Sequence, residues 1–378
     1  MNTINKVLVY MDDDLVGTLS ILKDKRIGFE YSDYWLKNGF ELNPFYLPLE
    51  KKIFINKKDY FAGLYGVFCD SLPDGWGNIL VNRFLRSKGI DPDSLNILDR
   101  LSIVGSSGMG KLRFVPDNNF IEKNEEYNLD ELAVECNKIL NSEFSEKIDE
   151  LYTLAGSSGG ARPKVLVNID NEEWIIKFNG HLDKVTIGKM EYDYYVCAKE
   201  CGINMSESKL FKSNLTPGYF GTKRFDRENG KRIHMISVAA LLELNFIIPS
   251  LDYKDLFKLT KILSNNNEED IEQLFRRMCF NIFSHNQDDH AKNFTFLYDM
   301  KNNAWKLSPA YDLTYSNTYF NEHTTSVNGV GKNITESDLL SVGLINGLNK
   351  AKCISIIKEI KECVSDMLKD ILNNPNLL

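Results

Sequence analysis

HNQDDHAKNFTFLYDMKNNAWKLSPAYDL, from His285 to Leu313, is the stretch whose reading decides the fold. The segment EEDIEQLFRRMCFNIFSHN leads into it with helical periodicity. Two short runs, NFTFLYD and AWKLSPAYD, are joined by MKNN and read as a strand pair. The expected order is a long helix, a loop and a hairpin. Asp288 and Asn293 lie five apart in the loop, and Asp312 closes the hairpin. The two strand ends of a hairpin lie side by side, so Asn293 and Asp312 are delivered to one point. Phosphoryl transfer needs these parts in this order. One carboxylate orients a hydroxyl and accepts its proton, while an amide oxygen and a second carboxylate hold magnesium across the phosphates. A hard cation takes oxygen ligands, and protein kinase catalytic loops share the D-x-x-x-x-N spacing.

Working upstream, GSSGGARPK (Gly156 to Lys164) opens a second informative region. The strand PKVLVNI, a turn at DNEE and the strand WIIKFNG follow, forming a hairpin. Lys177 sits in an apolar frame of Ile175, Ile176 and Phe178, where a lysine facing an anion would pair phosphates. The helix GKMEYDYYVCAKECG ends at Gly202 and carries Glu191, which is placed to hold Lys177. Two more strands, SESKLFKS and YFGTKRFDR, flank a turn at NLTPG. TKRFD, Thr222 to Asp226, occupies the place where a connection between lobes binds adenine through backbone groups. Each feature alone has an ordinary explanation: a snorkelling edge lysine, a helix-start glutamate, a capping His290, loop Asp and Asn. Their conjunction in correct chain order points to a nucleotide-dependent phosphotransfer site.

A second GSSG, in GSSGMGK from Gly105 to Lys111, nearly fits G-x-x-x-x-G-K-[ST]. Leu112 follows where a hydroxyl belongs, a helix (NILDRLSIVG) precedes and a strand (KLRFVP) follows. A phosphate loop of that type runs from strand into helix, so this copy reads as a structural turn.

The N-terminal residues 3–31 read as a three-stranded antiparallel meander. Helical periodicity then flanks a break at SLPDGWG, the acidic stretch Asp117 to Asn128 reads as a boundary, and two helices follow, the second with Ser145 placed to cap it. The segment VAALLELNF reads as helix, as do YKDLFKLTKILS and the C-terminal tail. The chain has 378 residues, enough for two domains or one large two-lobed unit. Its 43% hydrophobic, 26% charged and 11% aromatic composition is that of a globular protein. The N-terminus has no signal-peptide pattern and no apolar run is long enough for a bilayer, so a cytoplasmic location without membrane partners is expected. Among seven cysteines, Cys197 and Cys201 sit one helical turn apart, but no His or Cys near them in sequence completes a metal set. The expectation is reduced cytosolic thiols. The net charge of −8 argues against nucleic acid as the primary ligand.

The motifs DDHAKNFTF, SPAYDL, GGARPK, IIKF and KRFDR together resemble those of the HipA family of bacterial serine/threonine kinases. VYMDDDLVGTLS, SLPDGWGNILVNRFL and GSSGMGKLRFVP resemble that family's N-terminal subdomain, so the likeness spans nearly the whole chain. The resemblance implies an α+β, two-lobed protein-kinase-like fold with a β-rich accessory subdomain (1–116), an ATP-binding N-lobe (117–226) and a mainly helical C-terminal lobe (227–378). It implies ATP and Mg2+ as cofactors, Asp288 as base, Asn293 and Asp312 as magnesium ligands, Lys177 as phosphate-pairing lysine and His290 near the phosphates. Lys223 and Phe225 would contact adenine, with Asp226 beside them. Ser157, Ser158, Gly159, Gly160, Ala161 and Arg162 would form the glycine-rich loop, with Ser157 the autophosphorylated position and Ser158 a neighbour able to replace it. A phosphate there would repel the nucleotide's own phosphates. The loop departs from G-x-G-x-x-G, and Arg162 is open to two readings, phosphate ligand or solvent-facing residue. The implied partners are a protein substrate, such as an aminoacyl-tRNA synthetase, and a HipB-like helix-turn-helix antitoxin that supplies contact with DNA. Two alternatives remain at this level: a small-molecule phosphotransferase, and a catalytically silent co-repressor.

Overall fold

The computed structural model describes residues 3–118, 127–155, 159–318 and 320–374. The chain forms two compact units: Met1–Asp183 with Ser213–Leu215 and Asp226–Glu243, and Lys184–Lys212 with Thr216–Phe225 and Leu244–Leu378.

The first unit opens with the expected meander. Strands Lys6–Met11, Asp14–Ile21 and Ile27–Tyr31 pair antiparallel in sequence order. Phe54–Ile55 extends the sheet beyond the third strand, and Leu112–Val115 pairs with the first, giving five strands. Alternation decides the buried face: Val7, Val9 and Met11 point inward, and Phe29 packs its ring 4.9 Å from Phe68. The helix Gly75–Ser87 buries Trp76, Leu80 and Phe84, and Phe84 stacks on Tyr152 of the helix Ile148–Ala155 at 3.9 Å. Ser145, three residues ahead of this second helix, accepts the Lys147 N–H at its hydroxyl and donates to Glu135.

GSSGMGK is a structural turn, as its context requires. Gly105 ends the helix Ile97–Val104 at φ 51°, and Gly110 lies at φ 70°, both in the left-handed region. Lys111 pairs with Asp12 at 2.6 Å. Arg232 donates to the carbonyls of Ser106 (2.6 Å), Gly108 (2.7 Å) and Gly110 (2.8 Å), so the guanidinium fork binds the loop from inside. Asp226 accepts the Gly110 N–H at 2.7 Å and pairs with Arg227 at 2.6 Å.

The hairpin that follows the glycine-rich loop pairs Lys164–Ile169 with Glu172–Lys177, in the register Lys164↔Lys177. Asp170 and Asn171 both adopt positive φ, 55° and 63°, as a two-residue hairpin turn demands. VAALLELNF is helical only over Val238–Leu241. Glu243 stops it: its backbone turns to φ 49°, and its buried carboxyl group accepts from Gly66 N–H (2.8 Å) and Asn56 (2.7 Å). Two tertiary bonds to the Glu243 side chain and one from the Lys58 ammonium to its backbone carbonyl outweigh local helix propensity here.

The second unit is built on helices. Ile187–Glu200 ends in the expected way: Gly202 takes φ 67°, and the Ile203 N–H reaches back to Ala198 O at 3.0 Å. Strands Ser208–Phe211 and Tyr219–Lys223 form an antiparallel hairpin. Helices Tyr253–Leu263, Glu268–Phe283, Glu336–Ile345 and Lys350–Met367 supply most of the core, with Leu256, Phe257, Phe275, Met278 and Ile360 fully or nearly buried. Thr295–Asp299 pairs with Ala304–Leu307, Phe296 opposite Leu307. One parallel pair, Leu251–Asp252 with Thr325–Ser326, carries no periodic signal because each strand has two residues. No helix among the described residues is long and apolar enough to cross a membrane.

Candidate active site

In the first unit the glycine-rich loop is described from Gly159 onward; Gly156, Ser157 and Ser158 lie outside the described residues. Gly159, Gly160 and Ala161 are exposed. The loop is held from below. Asp74 accepts the Gly160 N–H, the Trp76 N–H donates to Gly160 O at 3.0 Å, and the Lys164 ammonium donates to Gly159 O. Gly160 sits at φ 93°, open to glycine and strained for any other residue. Gly75 is required as well: a Cβ there would stand 2.5 Å from Gly160 O. The SLPDGWG break is thus the brace of the loop. Sequence reasoning read it only as an interruption between helices, because no local signal ties it to a loop 85 residues on.

Arg162, open to two readings in the sequence, meets a carboxylate in the structure. Its guanidinium forms a fork with Asp183, Nε to Oδ2 at 2.9 Å and Nη2 to Oδ1 at 3.3 Å. Asp183 also accepts the Gly180 N–H at 2.7 Å. Lys177 ends its strand half-buried, on the face opposite the buried Trp174 and Ile176. Asp226 is fully buried, with its carboxyl group directed at the GSSGMGK turn as described above.

In the second unit the DDHAKN loop is fixed from both sides. The Asp288 N–H donates to Ser316 Oγ at 2.9 Å, and Asn293 Nδ2 donates to Asp288 O at 2.7 Å. That bond uses the nitrogen end of the Asn293 amide and directs the oxygen end elsewhere, as a cation ligand requires. The Asp288 side chain is 60% exposed. His290 precedes a single 3-10 turn, Ala291–Asn293, and its Nδ1 accepts the Lys292 N–H at 3.2 Å. The proton is thereby assigned to Nε2, which lies 3.8 Å from Asp288 Oδ1.

Asp312 emerges from the hairpin at φ 54°. Tyr311 beside it donates to Lys292 O at 2.5 Å and meets the Thr295 hydroxyl at 2.6 Å, tying the end of the hairpin to the loop at its start. Phe225 packs against Tyr311 with ring centroids 5.3 Å apart. Lys223 pairs with Glu207 at 2.6 Å, which pulls the Glu207 carboxyl below its ordinary range. Glu191 is buried in the second turn of its helix.

Beneath the loop lies a polar network that the sequence did not announce. Asp289 is fully buried; its carboxyl accepts from Tyr253 OH (2.9 Å) and the Thr325 N–H (3.0 Å) and faces His323 Nδ1 at 3.3 Å. Asn281 links Tyr253 to Asn286 at 2.9 and 3.0 Å, and Ser316 donates to Asn286 at 3.0 Å. Burial drives the Tyr253 hydroxyl well above its ordinary pKa, so it stays a neutral donor. Buried polar side chains that satisfy one another hold a loop in one conformation.

The β-rich N-terminal sheet and the later loop-plus-hairpin fall within the two domains of one family. The HipA-like C-terminal domain matches residues 156–368 and the HipA N-terminal domain matches residues 7–115. The chain belongs to the HipA family. "Putative kinase Y4mE" of Sinorhizobium fredii (strain NBRC 101917 / NGR234) is 24% identical over 97% of this chain and 93% of its own. A chain of the Shewanella oneidensis MR-1 toxin–antitoxin complex of HipA, HipB and operator DNA shares the fold. It aligns with TM-score 0.70 and 17% identity, over 97% of this chain and 91% of that one. The α+β, HipA-like architecture expected from the sequence is therefore the observed one.

Proposed function

We propose that the protein is an ATP- and magnesium-dependent protein serine/threonine kinase of HipA type. The observation that carries this reading is the DDHAKN loop: Asp288 held at its N–H and its carbonyl, with its carboxyl group facing solvent and the Asn293 amide oxygen turned away from the bond that fixes the loop. Asp288 accepts the proton of the attacking hydroxyl. Asn293 and Asp312 are hard oxygen donors suited to magnesium, which when bound neutralises charge on the transferred phosphoryl group. Lys177 and Glu191 serve the phosphates, His290 stands beside Asp288, and the backbone of residues 223–225 with the Phe225 ring receives adenine. The division into an accessory subdomain (1–116), an N-lobe (117–226) and a C-terminal lobe (227–378) is the functional counterpart of this assignment. Asp226 supports the arrangement from within through Gly110.

The reading extends to regulation and partners. Ser157 is the position for loop autophosphorylation, a HipB-type antitoxin is the partner, and the target is a cellular protein, with an aminoacyl-tRNA synthetase as the type suggested by the family. Cytoplasmic action follows from such a target. At net charge −8, contact with DNA belongs to the antitoxin.

Purified protein incubated with γ-labelled ATP and Mg2+ tests the reading. Label on protein, together with an intact mass raised by one phosphate in the wild type, supports it. Label found only on a small molecule overturns it in favour of a small-molecule phosphotransferase.

The brace under the loop makes a separate prediction. Asp74→Ala removes the acceptor of the Gly160 N–H, and Asp74 makes no side-chain cap bond to its own helix. Losing one charge-assisted hydrogen bond of about 1–2 kcal/mol is expected to raise KM for ATP roughly five- to thirty-fold with kcat nearly unchanged. Limited proteolysis at the loop should accelerate in parallel. An unchanged KM would show that the loop needs no anchor.

A further inference from the structure

The sequence offered Cys197 and Cys201 without a third ligand, and the structure supplies one from 166 residues further on. Cys197 lies on the helix Ile187–Glu200, Cys201 caps its C-terminus, and Cys363 lies on the helix Lys350–Met367. The three sulfurs all lie within 4.8 Å of one another. Cys197 Sγ and Cys363 Sγ are 3.9 Å apart. Met367 adds a thioether 3.6 Å from Cys363 Sγ, one turn further along the same helix. Tetrahedral thiolates at a metal–sulfur distance of ~2.3 Å stand about 3.8 Å apart, whereas a disulfide requires about 2.05 Å. The cluster therefore has the spacing of ligands around an ion, and the seven cysteines form no disulfide.

We propose that Cys197, Cys201 and Cys363, with Met367 as a fourth sulfur, form a binding site for a thiophilic d10 divalent cation of the zinc class. Sulfur donors select such ions over magnesium or calcium. Cys201 stands at the C-terminal end of its helix, where the backbone dipole favours positive charge. Cys197 and Cys201 are fully buried while Cys363 is partly exposed, so Cys363 is the entry point. Burial pushes the Cys363 thiol up to about 12, and Cys201 is raised further, first by its contact with Cys197. Binding of an ion by these thiols would release their protons to solvent. The ion would clamp the helix that bears Glu191 to the last long helix of the unit.

Titration of the full-length, reduced protein with Cd2+ tests this. Thiolate-to-metal absorption is expected to rise linearly and break at one equivalent, Zn2+ should suppress it by competition, and the melting temperature should rise. Cys363→Ser should lose the one-equivalent break, while Cys69→Ser, at a cysteine of the other unit, should keep it. Should Cys363→Ser fail to fold, alkylation of wild-type Cys363 provides the second readout, with protection by one equivalent of Cd2+ expected. The site is excluded by undiminished Cd2+ uptake in folded Cys363→Ser, by loss of uptake in Cys69→Ser, or by unprotected Cys363. A Cys197–Cys363 disulfide in the isolated protein, with no Cd2+ uptake after reduction, overturns it in favour of a redox pair.

Discussion

Asp288→Asn is expected to reduce phosphoryl transfer to protein by about a thousandfold while ATP affinity stays within a few-fold of wild type. A positioned general base contributes on the order of 10²–10⁴ in rate, and an amide of the same shape cannot accept the proton. The backbone anchors of the loop survive the change, because Ser316 binds the Asp288 N–H and Asn293 binds its carbonyl. The side chain is 60% exposed, so stability should be nearly unchanged. His290 offers no substitute base in this geometry, since its protonated Nε2 faces Asp288 at 3.8 Å. Single-turnover transfer of label, measured beside calorimetric nucleotide binding, separates the two effects. Transfer within tenfold of wild type would mean that some other group takes the proton.

Asp289→Ala, one residue on, is expected to act through stability instead. It would remove the shared acceptor of Tyr253 OH and the Thr325 N–H and the neighbour of His323, leaving buried donors facing a void. Breaking such a buried set costs about 3–5 kcal/mol, which for a unit of this size lowers Tm by roughly 10 °C. Asp289→Asn keeps one acceptor oxygen and should fall between Ala and wild type. Chemical denaturation of the three proteins gives the order. A loss under 1 kcal/mol for Asp289→Ala would mean that the network adds nothing to the loop.

The contrast between these adjacent aspartates shows where the sequence stopped being legible. Local spacing was enough for the meander, the Lys164–Lys177 hairpin, the Gly202 helix end and the loop-plus-hairpin from Asp288 to Asp312. Each rests on contacts within a few residues, and side-chain periodicity or turn chemistry records such contacts directly. VAALLELNF was misread past Leu241 because Glu243 answers to Gly66 and Asn56, more than 170 residues away in sequence. The same holds for Asp74 under the glycine-rich loop and for Arg232 inside the GSSGMGK turn.

By itself, then, the sequence determined which chemical groups the protein carries, in what order, and on which local elements: a carboxylate, an amide and a second carboxylate around one hairpin, and two GSSG loops with different contexts. Only the tertiary structure decided which of two neighbouring aspartates faces solvent, that Arg232 fills the GSSGMGK turn, and that Cys363 joins Cys197 and Cys201. The physical reason is that burial and hydrogen-bond pairing are set by distant chain segments packing together. A residue's type states what it can bind, and the fold alone states what is left within reach.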